Sequence, residues 1–290
     1  TYLGYLAEGA RTNLCLQSED FATTWGASGT PVITTNTAIA PDGTTTADSI
    51  EDNAAGALEY VLQNVAVADD TVSRTFSVFI KKTSAATHFP GISMAYTGGT
   101  GVNGDVTVNT NTGVLINRTG FAPDSSSVTE FNNYWRITVT KANNGLLNTN
   151  LTLAILPAVN TDASGTWGNA ATGTTVFWGA QLEAATFASS YIPTTTLAVA
   201  RNADALTYPT TGWLNAATGT FFSNAYIPAV SATSRRLLEI NDGTTNERIY
   251  NQINSANQAN MAVTDGGVGQ ADFNTTNTVS APATLKCAIA

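Results

Sequence analysis

Hydrophobic and polar residues alternate over short runs along most of this chain, and residues such as Asn, Asp, Gly and Ser separate the runs. Residues 72–80 illustrate the pattern, since Arg74, Phe76, Val78 and Ile80 fall on one face of a strand whose side chains point alternately to opposite sides. The other candidate strands are 58–67, 92–96, 105–116, 134–140, 150–156 and 174–182. About eight or more short strands at this spacing predict an antiparallel sandwich of two sheets.

Residues 105–116 are predicted to form two of these strands, joined by a hairpin turn at 109–113 with the sequence Asn-Thr-Asn-Thr-Gly. Asn and Gly favour this position because they tolerate the positive φ that tight hairpin turns need. The two strands are therefore expected to be neighbours in one sheet.

A polar segment that contains Pro and Gly divides the chain after residue 205. We expect residues 1–205 to form a first sandwich, 206–218 a linker and 219–290 the first part of a second sandwich. The strand pattern resumes at 221–227, 235–240, 248–253, 260–263 and 285–290, with turns at 241–243 and 265–267. Because the last apolar run ends with the chain, the second sandwich is predicted to be incomplete in this segment of a longer polypeptide.

Composition points to the same fold class. Charged residues make up 11% of the 290 residues, against about 25% in an average soluble domain, whereas the apolar share of 43% is near normal. The polar remainder is mostly Thr, Asn, Ser and Gly, and Thr, β-branched and aromatic residues favour strands. No run shows the period of a helix. We therefore expect an all-β protein built from tandem antiparallel β-sandwiches.

Charge and hydropathy argue against two kinds of partner. The net charge is −9 and the adjacent basic pairs are Lys81 with Lys82 and Arg235 with Arg236, whereas nucleic-acid phosphates require clustered Lys and Arg. No stretch approaches the roughly 20 apolar residues of a membrane span. We expect neither nucleic-acid binding nor membrane insertion. The two cysteines, Cys15 and Cys287, are expected to be unrelated buried thiols rather than a disulfide.

Two separated phrases resemble the ends of one known sandwich module. The first, YLAEGARTNLCLQSEDF, spans residues 5–21, and the second, VFWGAQLEAATFASSYIPT, lies within residues 175–194. Between them, in the same order, stand a Pro-Asp-Gly turn at 41–43 before a Thr-rich strand, RTFSVFIKK at 74–82 and YWRITVT at 134–140. Together they resemble a jelly-roll module, similar to carbohydrate-binding modules, that is common in tail and tail-fibre proteins of bacteriophages. The resemblance covers roughly residues 1–205.

This resemblance implies a bacteriophage virion protein located on the particle surface. It implies that the partners are a bacterial cell-surface glycan and other virion proteins, and that the chain forms a homo-oligomer such as a trimer. Residues 219–290 resemble, more weakly, the first half of a concanavalin-like or laminin-G-like sandwich. Since fold does not fix function, the ligand stays open.

Few residues in the segment suit catalysis. His88 is the only histidine, so a zinc site built from two or three histidines cannot form here, and no nucleophile-elbow pattern accompanies it. A glycosidase needs two carboxylates separated by about 5–9.5 Å. The candidates are Glu51, Asp52, Glu59, Asp105, Glu130 and Glu183, of which the adjacent Glu51 and Asp52 point to opposite faces of a strand. We expect the segment not to be an enzyme, with a glycan depolymerase as the minority hypothesis.

No metal or other cofactor is expected. Sugar-binding sandwiches often hold a structural calcium through oxygen ligands, for which Asp42 with Asp48, or Asp69 with Asp70, are the candidates. Side chains that cap their own turns are the favoured explanation of these four residues.

Aromatic residues fall into two groups by their neighbours. The aromatics that lie within strand patterns, and are predicted to be in the core, are Phe76, Phe79, Trp135, Phe177 and Trp178. Trp25, Tyr96 and Trp167 are flanked by Thr, Ser, Gly or Asn, which predicts a position in or beside polar loops. There a ring can stack on the C–H face of a neutral sugar while fixed donors and acceptors meet its hydroxyls. These three are therefore the candidate glycan-binding residues.

Three functions compete on these patterns. A tail or tail-fibre segment that recognises a host surface glycan, or presents such recognition, predicts a shallow groove with exposed aromatics. A purely structural virion subunit or decoration protein predicts sandwich faces covered by neighbouring subunits. A depolymerase predicts two carboxylates that converge in a cleft.

Limited proteolysis is expected to cleave the chain first between Ala200 and Gly219, because a polar segment with Pro and Gly separates two strand-rich regions there. Residues 1–200 are expected to fold alone. The masses of the earliest fragments check both statements. A chain that resists cleavage throughout this window and unfolds as one cooperative unit would contradict the two-domain organisation.

Overall fold

The computed structural model describes residues 8–168, 170–207, 211–212, 219–227, 229–230 and 232–289. These residues form twenty β-strands and no helix, which confirms the predicted all-β class. Consequently no helix within the described ranges could cross a membrane. The chain divides into two compact units, Thr1–Ala205 and Leu206–Ala290.

Two six-stranded antiparallel sheets make up most of the first unit. Sheet I contains, in spatial order, β10 (Ser125–Phe131), β11 (Tyr134–Ala142), β6 (Ser73–Lys81), β13 (Gly173–Glu183), β4 (Ala47–Asp52) and β3 (Val32–Ala38). Sheet II contains β2 (Gly26–Ser28), β5 (Tyr60–Ala66), β12 (Asn150–Asn160), β7 (Phe89–Thr97), β8 (Val102–Val108) and β9 (Leu115–Asn117). A short ladder of β1 (Arg11–Asn13) with β14 (Val199–Arg201) joins the two ends of the unit.

The core lies between the two sheets, where every second residue of their central strands is apolar. The residues of β6 and β12 that meet there, all fully buried, are Phe76, Val78, Ile80, Leu151, Leu153 and Ile155. Each such side chain stabilises the fold by about 1.5–3 kcal/mol relative to an exposed position. Residues 76, 78 and 80 therefore share one face of the strand, as predicted, and that face lies in the core.

A layer of aromatic side chains, separate from the main core, covers the outer face of sheet I. Trp178 lies 5.3 Å from Phe79 and 4.5 Å from Tyr191 between ring centroids, so the segment that follows β13 folds back over the sheet. Gly179 has a φ of +67° at a bulge in β13, and a Cβ there would lie 3.0 Å from the Phe79 ring. Only glycine adopts this positive φ without strain and also leaves room for the Phe79 ring.

One buried amide joins the opening segment to the closing segment. Asn13 is fully buried. Its Nδ2 donates to the carbonyl oxygens of Ala180 at 3.1 Å and Ile192 at 2.8 Å. Its Oδ1 accepts the backbone N–H groups of Cys15 and Leu182, both at 3.0 Å. An amide side chain has two donors and two lone pairs, so every hydrogen-bonding group of Asn13 is satisfied.

The predicted hairpin between β8 and β9 is present, with Val108 opposite Leu115. The turn differs from the prediction in how it uses asparagine. Only Gly113 among residues 109–113 has a positive φ, of 74°. The Oδ1 of Asn109 instead accepts the N–H groups of Asn111 at 3.0 Å and Thr112 at 3.1 Å. Asparagine therefore stabilises this turn as a hydrogen-bond acceptor.

The second unit contains two small antiparallel sheets. One pairs β15 (Phe221–Ile227) with β20 (Ala283–Ile289). The other is a meander of β16 (Arg235–Asn241), β17 (Arg248–Ile253), β18 (Gln258–Asp265) and β19 (Val268–Thr278). Gly266 and Gly267, with φ of 57° and 76°, form the turn predicted at 265–267.

Four edge strands, β2, β3, β10 and β19, lie outside the ranges that the hydrophobic pattern predicted, as do the internal strand β4 and the short strands β1 and β14. The sequences of the edge strands, Val-Ile-Thr-Thr-Asn-Thr-Ala in β3 for example, carry few apolar residues. An edge strand needs apolar side chains less because polar ones protect it from pairing with another chain. Its backbone ladder holds it in place without a hydrophobic alternation in the sequence.

Asn13→Ala is expected to lower the free energy of unfolding of the first unit by about 3 kcal/mol. The change leaves two carbonyl and two N–H groups without their partner in the interior, and such groups cost about 1–3 kcal/mol each before relaxation. Urea denaturation followed by circular dichroism measures the loss. Asn53→Ala, at an exposed position, is the control, and an equal effect of both substitutions would argue against a special role for Asn13.

Candidate functional site

Trp25 lies in a loop before β2, as predicted, but its ring is not exposed. This residue is only 6% exposed and belongs to the main core. Its ring packs edge-on against Phe21, at 5.2 Å between centroids, and its Nε1 donates to the carbonyl oxygen of Gln17 at 3.2 Å. The ring faces are therefore used in packing, and Trp25 offers no platform for a sugar.

The predicted exposure of Tyr96 is corrected in the same way. It is fully buried near the end of β7, where it follows Ile92 and Met94 on the inward face, and its hydroxyl donates to the carbonyl oxygen of Lys141 at 2.9 Å. Its polar neighbour Thr97 lies on the outward face of the same strand. Strand alternation therefore explains why polar neighbours gave the wrong prediction for this ring.

Trp167 is partly buried on the outer face of sheet II. Its Nε1 donates to the hydroxyl of Thr107 at 2.8 Å, and its benzo edge lies against Gly91, where a Cβ would come within 2.8 Å of the ring. The Arg118 guanidinium lies 4.4 Å from its ring centroid and forms a salt bridge with Asp105 at 3.0 Å. Arg118 thus occupies ring surface that a sugar would need, and the three predicted aromatics do not form one site.

The six candidate carboxylates mostly hold the fold together. Asp52, Asp105 and Glu183 are at most 1% exposed. Asp105 accepts the hydroxyl of Ser93 at 2.7 Å and the Arg118 guanidinium, and burial nevertheless raises its pKa. Four of the other candidates also have partners. Asp52 accepts the N–H groups of Ala54 and Glu59, and Glu59 accepts the N–H of Thr30. Glu183 accepts the hydroxyl of Ser189, and Glu130 forms a salt bridge with Lys82. None of the six lines the cleft described below.

The candidate calcium ligands have local partners. Asp42 accepts the N–H and hydroxyl of Thr44, and Asp70 forms a bidentate salt bridge with Arg74. Asp69 accepts the N–H of Leu147 at 3.0 Å. Within the described part of the chain, no group of three or more His, Cys, Asp or Glu side chains is placed to hold a metal ion.

His88 lies immediately before β7 with its ring on Gly173, where a Cβ would lie 2.4 Å from the ring. Its Nε2 is 3.1 Å from both the carbonyl oxygen of Thr174 and the hydroxyl of Thr175. Burial lowers the pKa of His88. Cys15 and Cys287 are both buried and unpaired.

A cleft of about 630 Å³ lies where the opening and closing segments meet β3 and β4. Its lining residues are Gln17, Glu19, Asp20, Thr35, Asn36, Thr46, Asp48, Pro193, Thr194, Thr195 and Val199. The opening and closing segments adjoin here through backbone hydrogen bonds from Gln17 N–H to the Thr195 oxygen and from Ser18 N–H to the Thr194 oxygen. We refer to this site as the junction cleft.

Asp48 fixes one wall of the junction cleft. It is 1% exposed, and its two oxygens accept the backbone N–H groups of Phe21 and Asn36, each at 2.9 Å. Asn36 has a φ of 57°, a left-handed conformation that asparagine tolerates better than most residues. Asp48 therefore orients β3 and the opening segment around the cleft.

Three carboxylates give the junction cleft a negative field. Burial raises the pKa of Asp48, and the charges of Asp20 and Glu19 raise it further, against the effect of the two N–H groups. Glu19 accepts the hydroxyl of Tyr191 at 3.0 Å, and burial raises the pKa of that hydroxyl, which keeps it a donor at neutral pH. Asp20 accepts the Thr23 hydroxyl at 2.7 Å. Glu19 and Asp20 keep acceptor capacity for a ligand because a carboxylate has about four lone-pair sites, whereas Asp48 is 1% exposed and only orients the wall.

This chemistry suits a small ligand rich in hydroxyl groups. Carboxylates accept hydrogen bonds from such a ligand, and the side-chain amides of Gln17 and Asn36 can both donate and accept. The volume is within the range of about 300–1,000 Å³ typical of ligand pockets. The opening phrase contains Glu19 and Asp20, yet the sequence did not mark them as site residues, because only the closure of the sandwich brings them beside Asp48.

No protein-family model matches the sequence, and a search of curated proteins finds no match. Among solved structures, the chain is similar to the enzymatically active domain of tailspike protein 4 from bacteriophage CBA120, with 11% identity and a TM-score of 0.33. It is also similar to the CBM22-1 and GH10 modules of endo-1,4-beta-D-xylanase 10B from Clostridium thermocellum, complexed with xylohexaose, with 12% identity and a TM-score of 0.36. These matches cover 57% and 64% of this chain, but 20% and 30% of the other two. Likeness at this level carries no argument about activity or ligand.

Trp25→Ala is expected to lower the free energy of unfolding by about 3–5 kcal/mol, the usual cost of removing a core aromatic. Trp167→Ala is expected to cost less because its ring is partly exposed. Urea denaturation followed by far-ultraviolet circular dichroism compares the two. A larger loss for Trp167→Ala would show that the burial order of these rings is wrong.

Proposed function

We propose that the first unit recognises a glycan of the bacterial surface as part of a bacteriophage tail or tail fibre, and that the junction cleft holds the sugar. The observation that carries the proposal is the lining of the cleft, which combines three carboxylates with amide and hydroxyl side chains around about 630 Å³. This lining supports binding of a ligand that presents many hydroxyl donors in a small volume.

The acceptors of the cleft are held in place before a sugar arrives. Two backbone N–H groups orient Asp48, the Tyr191 hydroxyl orients Glu19, and the Thr23 hydroxyl orients Asp20. Preorganised partners reduce the entropy that binding costs. Sugar hydroxyls that donate to Glu19 and Asp20 form charge-assisted hydrogen bonds, which are stronger than neutral ones.

The bacteriophage setting rests on the two phrases at the ends of the first unit. They are joined at the junction cleft, since the N–H groups of Gln17 and Ser18 donate to the carbonyl oxygens of Thr195 and Thr194. A virion location, a homo-oligomer such as a trimer and contacts with other virion proteins belong to this proposal.

Binding without cleavage is the form of the proposal that the cleft supports. A general acid must reach the glycosidic oxygen, and Asp48, whose pKa is raised, is 1% exposed with both oxygens bonded to backbone N–H groups. A depolymerase is the second candidate, because Glu19, Asp20 and Asp48 converge in one cleft. Because glycan binding and glycan cleavage would use the same residues, an assay for released oligosaccharide is needed to distinguish them.

Glu19→Gln and Asp20→Asn are each expected to weaken glycan binding about 10- to 100-fold, because a hydrogen bond to a charged group contributes about 1.5–3 kcal/mol. Both substitutions keep the shape and one carbonyl acceptor, so the fold is preserved. Calorimetric titration with purified capsule and lipopolysaccharide glycans measures the effect. Asp162→Asn, which removes an exposed carboxylate outside the cleft, serves as the control and should bind like the parent.

The same samples are assayed for released oligosaccharide. Sustained release that either substitution abolishes would replace the binding function with a depolymerase. Binding that neither substitution changes would place the sugar elsewhere on the unit. If the parent chain binds no glycan of the panel, the structural virion subunit becomes the better account.

A further inference from the structure

A groove of about 210 Å³ crosses the outer face of sheet I on β10 and β11, and the segment after β13 forms its far wall. Three cross-strand pairs form its floor: Ser125 with Thr140, Ser127 with Thr138, and Thr129 with Arg136. Five of these six side chains are hydroxyls and the sixth is a cation. The groove shares no lining residue with the junction cleft.

Arg136 has far fewer partners than its guanidinium can bind. It donates one hydrogen bond, from Nη2 to the hydroxyl of Ser77 at 3.0 Å, and its plane lies over the Phe79 ring at 5.3 Å. Its Nε is buried with no hydrogen-bond partner among the described residues. A guanidinium has five donors, and even a partly buried cation without an anion is costly.

The nearby carboxylates are already committed to other groups. Glu183 accepts the N–H and hydroxyl of Ser189, at 2.9 and 2.6 Å, and Glu8 forms a salt bridge with Arg201. Neither forms a salt bridge with Arg136, although both attract it at longer range. Burial lowers the pKa of Arg136, which is the direction expected for a cation without a bound anion.

We propose that this groove binds the carboxylate of an acidic sugar, with Arg136 as the cation and the serine and threonine rows as partners for the sugar hydroxyls. The planar guanidinium matches a carboxylate with two parallel hydrogen bonds. The Phe187 ring lines the same groove, and the Arg11 guanidinium lies 5.1 Å from its centroid. The site is independent of the junction cleft, so failure of one does not decide the other.

The test compares methyl β-D-glucuronide with methyl β-D-glucoside, which differ only in the carboxylate at C6. Nuclear magnetic resonance titration of the full chain at low ionic strength is expected to give at least tenfold tighter binding of the glucuronide. Arg136→Lys, which keeps the charge but loses the planar fork, is expected to reduce glucuronide binding at least fivefold.

Substitution of Thr129 tests the site without removing Arg136. Thr129 is exposed on an edge strand directly opposite Arg136, so Thr129→Glu is expected to supply the missing carboxylate and abolish glucuronide binding. Thr129→Gln has the same shape without the charge and is the matched control. Both variants lose the Thr129 hydroxyl, so their comparison isolates the charge, and Thr129→Gln should bind the glucuronide at least tenfold more tightly than Thr129→Glu.

Three results would overturn the proposal. The first is equal affinity for glucuronide and glucoside, or no measurable binding of either. The second is a folded Thr129→Glu variant that binds like Thr129→Gln. The third is sodium sulfate that displaces the glucuronide at the same concentration as the sugar itself, since the groove would then be a site for any small anion.

Discussion

The first unit depends on the buried Asn13, because three of its four hydrogen bonds join two segments about 170 residues apart in sequence. A buried amide is tolerated only when its donors and acceptors are satisfied, and here backbone groups of the opening and closing segments satisfy all of them. The same closure brings residues 17–20 beside residues 193–195. The junction cleft is thus a direct consequence of how the sandwich is closed.

Low charge shapes the surface of this protein. Hydroxyl and amide side chains on the outer faces form hydrogen bonds with one another, as Ser127 and Thr138 do at 2.6 Å and Thr152 and Asn64 at 2.6 Å. Most buried carboxylates are bonded to N–H groups or to an arginine. Among the arginines of the first unit, all of which lie within the described residues, Arg136 alone forms no salt bridge, although it is partly buried beside hydroxyls and an aromatic ring.

The junction cleft and the groove on β10 and β11 carry charges of opposite sign, and they therefore suit different sugars. Carboxylates in the cleft favour hydroxyl donors and disfavour anions, whereas Arg136 favours a carboxylate. A glycan with both neutral and acidic residues would use both sites on one unit. Two contacts of this kind strengthen each other when one ligand spans them.

The fold class and most strands could be predicted from the amino-acid sequence, because the alternation of apolar residues in β6, β7 and β12 shows which faces are buried. It also located the turns at 109–113 and 265–267. The edge strands β3, β10 and β19 were not predicted, because backbone pairing holds them in place and their sequences carry few apolar side chains. The sites depend on tertiary contacts. Polar neighbours suggested that Trp25 and Tyr96 were exposed. Tyr96 is buried because adjacent residues of a strand face opposite sides, and Trp25 is buried because its loop packs the ring on Phe21. Glu19 and Asp20 lie beside Asp48 only because the opening and closing segments of the first unit meet next to β3 and β4.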